Sequence, residues 1–243
     1  MEEQLEFFAK NGYLVVPKAL AAEEVAMLNR AIDRDLVEHE PLWKGDKEGR
    51  YQNVYCLLSQ PELDFTMRPP SLLPLMEAIL GSDLCAEEHS VMIRAANPDG
   101  PTECAWHRDG TRTGTPPYYT FYLSVVFYLT DVDDTTHTFS VLPNTGQSLE
   151  LPPLEQYDLG TAEHLTGPAG TAILFNSVTF HAGNVRQTTA ERRTIHIYCG
   201  RTTAPPLSNH TIFPRRLSAG ADEATRIYYS RPNSITQLLL DHF

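Results

Sequence analysis

A series of short apolar runs after about residue 84 limits the fold of this chain more than any other feature. These runs are separated by Pro, Gly, Asn and Asp, and they cover residues 90–95, 121–129, 139–142, 171–176, 178–182 and 193–199. Runs of this length between turn-forming residues are typical of strands in an all-β sandwich or barrel. We therefore predict a mainly β fold for this part of the chain.

The first 83 residues carry a different pattern. Apolar residues recur at helical spacing there, which predicts helices over residues 2–10, 21–38 and 71–80. Residues 13–16 read as a short strand, and 41–60 show no regular pattern. No linker or repeat divides the sequence, so we expect one domain, 1–243. Its parts would be a helical N-terminal part (about 1–83), a β core (about 84–205) and a C-terminal segment (206–243).

Composition narrows the function classes. The net charge of −12 and the pI of about 5.1 argue against a nucleic-acid surface, which needs cations to neutralise phosphates. No apolar run is long enough to span a membrane, and the acidic N-terminus lacks a signal core. The four cysteines are scattered and without metal spacing. We expect a cytoplasmic protein with reduced thiols and no membrane partner.

Trp106-His107-Arg108-Asp109 is the first candidate site. His107 and Asp109 are two residues apart, so on an extended segment their side chains point the same way. Two histidines and one carboxylate form the facial metal site of non-haem Fe(II) oxygenases, which leaves open positions for a co-substrate and O2. By itself, however, His-x-Asp is more often a solvated pair in a loop.

His181 is the best candidate for the third ligand. It follows the apolar residues 171–175 and 178–180, so we place it at the end of a strand that could hold it rigidly near an open mouth. A histidine with its hydrogen bonds satisfied inside the protein is an equally good interpretation of His181 alone.

Arg192 is the candidate co-substrate anchor. Alternation along 192–199 places Arg192, Thr194, His196 and Tyr198 on one face, a polar set that suits a cavity. The other face, with Arg193, Ile195, Ile197 and Cys199, should pack outward against the N-terminal helices. A hairpin after His181 would bring Arg192 alongside it, and a guanidinium can grip a carboxylate with two hydrogen bonds.

At these residues the chain resembles the phytanoyl-CoA dioxygenase family of Fe(II)/2-oxoglutarate-dependent oxygenases. The opening residues 8–16, the His107-x-Asp109 pair, the turn after Val141, His181 and Arg192 are similar to that family's motifs. Three positions depart from its pattern. Asn144 stands where glycine is usual, Gly146 where histidine is common, and Gly183 where some relatives have a hydroxylated residue that helps to hold 2-oxoglutarate.

The resemblance implies a fold, cofactors and a reaction. The fold would be a double-stranded β-helix, a cupin-like jelly roll with flanking helices. His107, Asp109 and His181 would bind Fe(II), and Arg192 would pair with the far carboxylate of 2-oxoglutarate. O2 would then drive oxidation of a small molecule, with release of succinate and CO2. Hydroxylation would be the default outcome, with desaturation, ring closure and epimerisation as open alternatives. Candidates for a second 2-oxoglutarate donor are Tyr122, Arg94 and Thr171.

The substrate and two rival functions stay open. Residues that could contact a polar or anionic small molecule, each equally well explained as a surface or structural side chain, are Arg50, Tyr51, Asn53, Tyr118, Tyr119, His196 and Arg201. One rival is a zinc hydrolase that uses the same ligands, which would leave Arg192 without a role. The other is a non-catalytic cupin-like binding module. The sequence does not determine the oligomeric state.

Overall fold

A computed structural model describes residues 1–45, 49–207, 212–230 and 242. Within these residues the helices are α1 (Glu2–Asn11), α2 (Ala22–Glu38), α3 (Cys56–Ser59), α4 (Leu73–Leu80) and α5 (Glu223–Ser230). The strands are β1 (Tyr13–Val16), β2 (Lys44–Gly45), β3 (Arg50–Asn53), β4 (Leu84–Arg94), β5 (Glu103–Cys104), β6 (Tyr122–Tyr128), β7 (Thr138–Val141), β8 (Glu163–Leu165), β9 (Ala172–Asn176), β10 (His181–Val185) and β11 (Arg192–Arg201).

The strands form two sheets that face each other. The larger has the order β1-β9-β6-β11-β4-β3-β2, and the smaller has the order β5-β10-β7-β8. All strand pairs described are antiparallel. After β4 the chain passes repeatedly from one sheet to the other. Two antiparallel sheets connected in this way form a jelly roll, so the predicted fold class is confirmed.

Two hydrophobic clusters cover the two faces of the larger sheet. One packs helical residues such as Phe8, Leu28 and Met76 against the outer face, and the other fills the space between the sheets. Strand β6 shows the division. Its odd-numbered residues Leu123, Val125 and Phe127 belong to the outer cluster, and its even-numbered Val126 and Tyr128 belong to the inner one.

The predicted helices and the first strand are confirmed, and α1 ends at Gly12 in the left-handed conformation (φ 79°). Residues 41–60 are more regular than expected. They contain β2, β3 and α3, and β3 pairs with β4. The sequence does not predict β3 because apolar residues do not alternate with polar ones along Arg50-Tyr-Gln-Asn53.

Two expectations around His181 are wrong. The run 178–182 is not one strand: Thr179 donates to the Asn176 carbonyl in a turn, so His181 begins β10 rather than ending a strand. Strands β10 and β11 also form no hairpin, because they belong to opposite sheets. Arg192 therefore approaches His181 across the sandwich.

The boundaries proposed for a single domain, 1–243, stay a prediction, since 231–241 and 243 lie outside the described residues. Strands β1, β2 and β3 extend the larger sheet, so the first 83 residues are not only helical. Among the helices described, none combines the length and the apolar character needed to cross a membrane.

Candidate metal centre and co-substrate cavity

Backbone hydrogen bonds bring the three predicted metal ligands together. His107 and His181 exchange two N–H to carbonyl bonds of 3.0 Å each, so they lie directly opposite one another. Asp109 donates its N–H to the Ser177 carbonyl at 2.9 Å. The two ligand-bearing segments are thus paired like strands on both sides of the site, which fixes the relative positions of the side chains.

The ligand atoms converge on one point. Asp109 Oδ1 lies 3.5 Å from His107 Nε2, and Asp109 Oδ2 lies 3.3 Å from His181 Nε2. All three ligand atoms lie within 4.8 Å of one another. The His107 side chain is 54% exposed whereas that of His181 is 4% exposed, so the site opens to solvent on the side of His107.

Each histidine is held in the tautomer that a metal needs. His107 Nδ1 lies 3.0 Å from the Ala105 carbonyl, and His181 Nδ1 lies 3.0 Å from the Thr179 carbonyl. Because a carbonyl only accepts, each Nδ1 carries the proton and each Nε2 keeps its lone pair. Metal-binding histidines have such partners on the other ring nitrogen, so the residues fit a metal ion.

The site favours an ionised carboxylate. Burial by itself would raise the pKa of Asp109, but His181 and His107 together hold that pKa well below its ordinary value. The hydrogen bond with Asp109 raises the pKa of His107 against the opposing effect of burial. A deprotonated carboxylate beside two imidazoles is the donor set that suits Fe(II) with open positions.

A cavity of about 290 Å³ is lined by His107, His181 and Arg192, among others. Arg192 is 7% exposed, and its Nε and Nη1 atoms find no hydrogen-bond partner among the residues described. Burial lowers the pKa of its guanidinium. A buried cation with free donors needs an anion, so the cavity fits a carboxylate ligand such as 2-oxoglutarate.

Three other residues predicted for the site line this cavity: Arg50, Arg94 and His196. Arg94 lies opposite both Arg50 and Arg192 in the strand register. His196 Nε2 is 3.0 Å from Thr194 Oγ1, and burial together with Arg192 lowers the pKa of its imidazole to about 3. His196 is therefore neutral at ordinary pH.

The structure brings neither Tyr122 nor Thr171 to the described lining of this cavity. The Tyr122 hydroxyl donates to the Pro205 carbonyl at 2.5 Å, and Tyr122 lines a separate small pocket together with Asp109. Thr171 precedes β9 and lies beside Gly167. The contacts of these two residues with 2-oxoglutarate stay predictions.

Five candidate substrate residues also lie away from the described cavity wall: Tyr51, Asn53, Tyr118, Tyr119 and Arg201. Tyr51 is 45% exposed. Asn53 is buried and donates to Asp35, and the Tyr118 ring packs against Phe8. For Asn53 and Tyr118 the contacts are structural.

Sequence reasoning missed some residues that line the cavity, including Phe139 and Glu103. Phe139 stacks on His181 with ring centroids 5.5 Å apart. Its position follows from the pairing of β7 with β10, which the sequence does not show. Tyr198 also lines the cavity, consistent with its predicted place on the polar face of β11.

Two departures from the family pattern have local explanations. Asn144 adopts a φ of 61°, a left-handed conformation that asparagine tolerates better than most residues other than glycine. Gly183 lines the cavity, and a Cβ atom there would lie 3.7 Å from Arg192 Nη2. A side chain at position 183 would therefore face the same ligand group as Arg192.

A match to one protein family covers most of this chain. The sequence profile of the phytanoyl-CoA dioxygenase family matches residues 8–194, which include the three ligands and Arg192. The chain belongs to the phytanoyl-CoA dioxygenase family. It is thus a non-haem iron oxygenase whose cofactors are Fe(II), 2-oxoglutarate and O2. A search of curated proteins finds no match to this sequence.

Solved structures agree on the fold of this family member. HygX from Streptomyces hygroscopicus, with nickel and 2-oxoglutarate bound, is 18% identical with a TM-score of 0.67, over 85% of this chain and 89% of that chain. The epimerase SnoN, in complex with Fe3+, alpha ketoglutarate and nogalamycin RO, is 19% identical with a TM-score of 0.70, over 91% of each chain. The carbocyclase SnoK is 17% identical with a TM-score of 0.65, over 83% and 84%.

Proposed function

We propose that this enzyme hydroxylates a small-molecule substrate and converts 2-oxoglutarate to succinate and CO2. The main support for this function is that one cavity contains both a candidate metal site and a buried arginine. His107 and His181 line the cavity with their Nε2 atoms beside the Asp109 carboxylate, and Arg192 lines it with two donor atoms that lack a partner among the described residues. A zinc hydrolase would need the metal ligands but not the buried arginine.

The metal ligands and Arg192 would have separate roles in this reaction. His107, Asp109 and His181 would hold Fe(II), and the Nδ1 hydrogen bonds would keep both imidazoles oriented. When bound, the iron supplies the oxidative chemistry with O2. Arg192 would fix the far carboxylate of 2-oxoglutarate by charge-assisted hydrogen bonds and so set how the co-substrate lies in the cavity.

Arg94 is the favoured candidate for a second contact with 2-oxoglutarate. It lines the cavity directly opposite Arg192 in the register of β4 and β11. His196 would contribute a neutral polar wall between the metal ligands and Arg192, since its pKa of about 3 prevents it from carrying a proton at neutral pH. It would contact the ligand without adding charge.

The substrate would enter on the open side of the cavity, where His107 is exposed. Arg50 lines this side, and the loop 110–119 follows the metal motif directly. Small-molecule substrates are supported by structural neighbours: HygX has been solved with hygromycin B bound, and SnoN with nogalamycin RO. The cytoplasmic location expected from the sequence stays a prediction.

Turnover with a matched variant tests this function. Purified protein is incubated with Fe(II), 2-oxoglutarate, O2 and a panel of small molecules, while succinate and oxygenated products are followed by mass spectrometry. We expect succinate formation that requires Fe(II), and we expect the Asp109→Ala variant to lose it. Iron-loaded protein that consumes no 2-oxoglutarate with any compound, or Zn(II)-dependent hydrolysis, would contradict the proposal.

A further inference from the structure

Arg108 lies between the two proposed ligands of the metal motif, yet its side chain points away from them. We propose that Arg108 is a positioning residue for the metal centre, which clamps the segment carrying His181 against the segment carrying His107 and Asp109. The inference rests on the proposed function, because it assumes that these three side chains bind Fe(II). It assigns a role to the residue between the ligands.

The Arg108 guanidinium contacts three separate loop carbonyls. Its Nε donates to the Val178 carbonyl at 2.7 Å, Nη1 donates to the Pro152 carbonyl at 2.7 Å, and Nη2 donates to the Thr145 carbonyl at 2.8 Å. A guanidinium carries its donors on three separate nitrogens in a rigid plane, so it can reach three carbonyls that lie apart from one another. One side chain therefore joins the turn after β7, the loop that follows it and the turn before β10.

These contacts surround the residues that immediately precede His181. The Arg108 guanidinium lies 3.7 Å from the centre of the Phe180 ring. Phe180 donates its N–H to Thr145 Oγ1 at 2.8 Å, and the Thr145 carbonyl is itself a partner of Arg108. The Val178 carbonyl, held by Arg108, is adjacent to the Thr179 carbonyl that orients the His181 ring.

The alternation of side chains along residues 107–109 explains why Arg108 points away from the metal site. His107 and Asp109 point toward the cavity and the metal, so Arg108 between them points to the opposite side. There it meets the turn 176–180, to which the Asp109 N–H is also hydrogen-bonded through Ser177. Residues 107–109 thus contact the segment that carries His181 on two sides. The proposed ligands lie on one side, and the Arg108 guanidinium lies on the other.

The surroundings of Arg108 are unusual for an arginine. Among the described residues it forms no ion pair with a carboxylate. Its partners are three backbone carbonyls, the Tyr157 hydroxyl and the rings of Tyr157 and Phe180. Its contacts instead fix loop geometry, and here the loop carries a metal ligand.

The test compares Arg108→Gln and Arg108→Lys with Arg216→Ala. Arg216 is the control because it also donates to backbone carbonyls, those of Leu57 and Leu58 in α3, and pairs with Asp64, but it is not among the described residues that line the cavity. The full-length variants are titrated anaerobically with Fe(II) and then with 2-oxoglutarate, below their melting temperatures. Circular dichroism reports whether each variant is folded.

We expect Arg108→Gln to weaken Fe(II) binding by about 10- to 100-fold, the range found when a group that orients a metal ligand is removed. Arg108→Lys should recover only part of the loss, because an ammonium cannot reach three carbonyls at once. The visible spectrum of the iron complex with 2-oxoglutarate should also shift in both variants. Arg216→Ala should keep the wild-type affinity and spectrum.

Three results would overturn the inference. Fe(II) affinity equal to wild type in folded Arg108→Gln would show that the clamp does not act on the metal. Loss of fold in both Arg108 variants would make the residue part of the scaffold only. A wild-type chain that binds no Fe(II) would overturn the proposed function as well, which distinguishes that failure from the first two.

Discussion

The two faces of β11 carry neighbouring arginines in opposite surroundings. Arg193, on the outer face, forms ion pairs of 2.6 Å with Asp33 of α2 and with Glu191. Arg192, on the cavity face, is 7% exposed and has two donor atoms without a partner among the described residues. The same type of side chain thus has charged protein partners on one face and two donor atoms without a described partner on the other.

The rest of the strand follows the same division. Ile195, Ile197 and Cys199 belong to the hydrophobic cluster beneath the helices, whereas His196 and Tyr198 line the cavity. Stability should therefore depend on the outer face and ligand binding on the inner face. Four substitutions along β11 test this division, and their expected effects decrease from Arg192→Leu to Arg193→Ala.

Arg192→Leu should have the largest effect on ligand binding. Removing a buried charge partner costs about 2–5 kcal/mol, so the iron-loaded variant should bind 2-oxoglutarate at least about 30-fold more weakly. The metal-free variant should be as stable as wild type or more stable, because an unpaired buried cation has been replaced by an apolar side chain. Calorimetric titration and thermal melting measure the two effects. Unchanged affinity would move the anchor to another residue.

Ile197→Ala should have the largest effect on stability. Truncating a fully buried isoleucine costs about 2–5 kcal/mol, and Ile197 is 0% exposed in the outer cluster. The affinity of the iron-loaded protein for 2-oxoglutarate should stay within about twofold of wild type below the melting temperature. Chemical denaturation and titration provide the measurements. A large loss of co-substrate affinity would show that the two faces are coupled.

His196→Gln should change how stability responds to acid. The folded-state pKa of His196 is lowered to about 3 by burial and by Arg192, whereas the unfolded chain protonates near 6.5. The unfolded state therefore binds more protons between these values, so wild-type stability falls as the pH drops through that window. The metal-free variant should lose stability less steeply there and run parallel to wild type above pH 7. Equal slopes below about pH 6 would contradict the assignment.

Arg193→Ala should have the smallest effect. Its partners Asp33 and Glu191 are 59% and 43% exposed, and exposed ion pairs contribute about 0.2–1 kcal/mol each. We expect the melting temperature to fall by only a few degrees and the affinity for 2-oxoglutarate to stay unchanged. A loss of affinity comparable with that of Arg192→Leu would remove the distinction between the two arginines.

The division between the faces was readable from the sequence because side chains alternate strictly along a strand. Residues 192–199 place Arg192 and Arg193 on their observed faces without any knowledge of the sheet. The separation of His107 and Asp109 predicted their common direction for the same reason. Local geometry of this kind depends only on neighbouring residues.

Pairing between strands was less readable because it depends on contacts distant in sequence. The expected hairpin of β10 and β11 would have placed Arg192 beside His181 in one sheet, but the strands lie in opposite sheets. Neither Thr171 nor Tyr122 belongs to the described lining of the cavity, and no sequence pattern shows how far along the inner face a cavity extends. The role proposed for Arg108 depends on three loop carbonyls whose meeting no sequence pattern indicates.

Anaerobic titration of the purified protein with Fe(II), followed by 2-oxoglutarate, would show whether one cavity joins the metal centre to Arg192. Visible absorption reports whether 2-oxoglutarate chelates the iron, since a facial site has open positions for both its keto oxygen and its C1 carboxylate oxygen. We predict a charge-transfer band that forms with one equivalent of 2-oxoglutarate and requires far more of it in Arg192→Leu. Iron binding without such a band, or an identical titration of wild type and Arg192→Leu, would contradict the claim that one cavity joins this metal centre to this arginine.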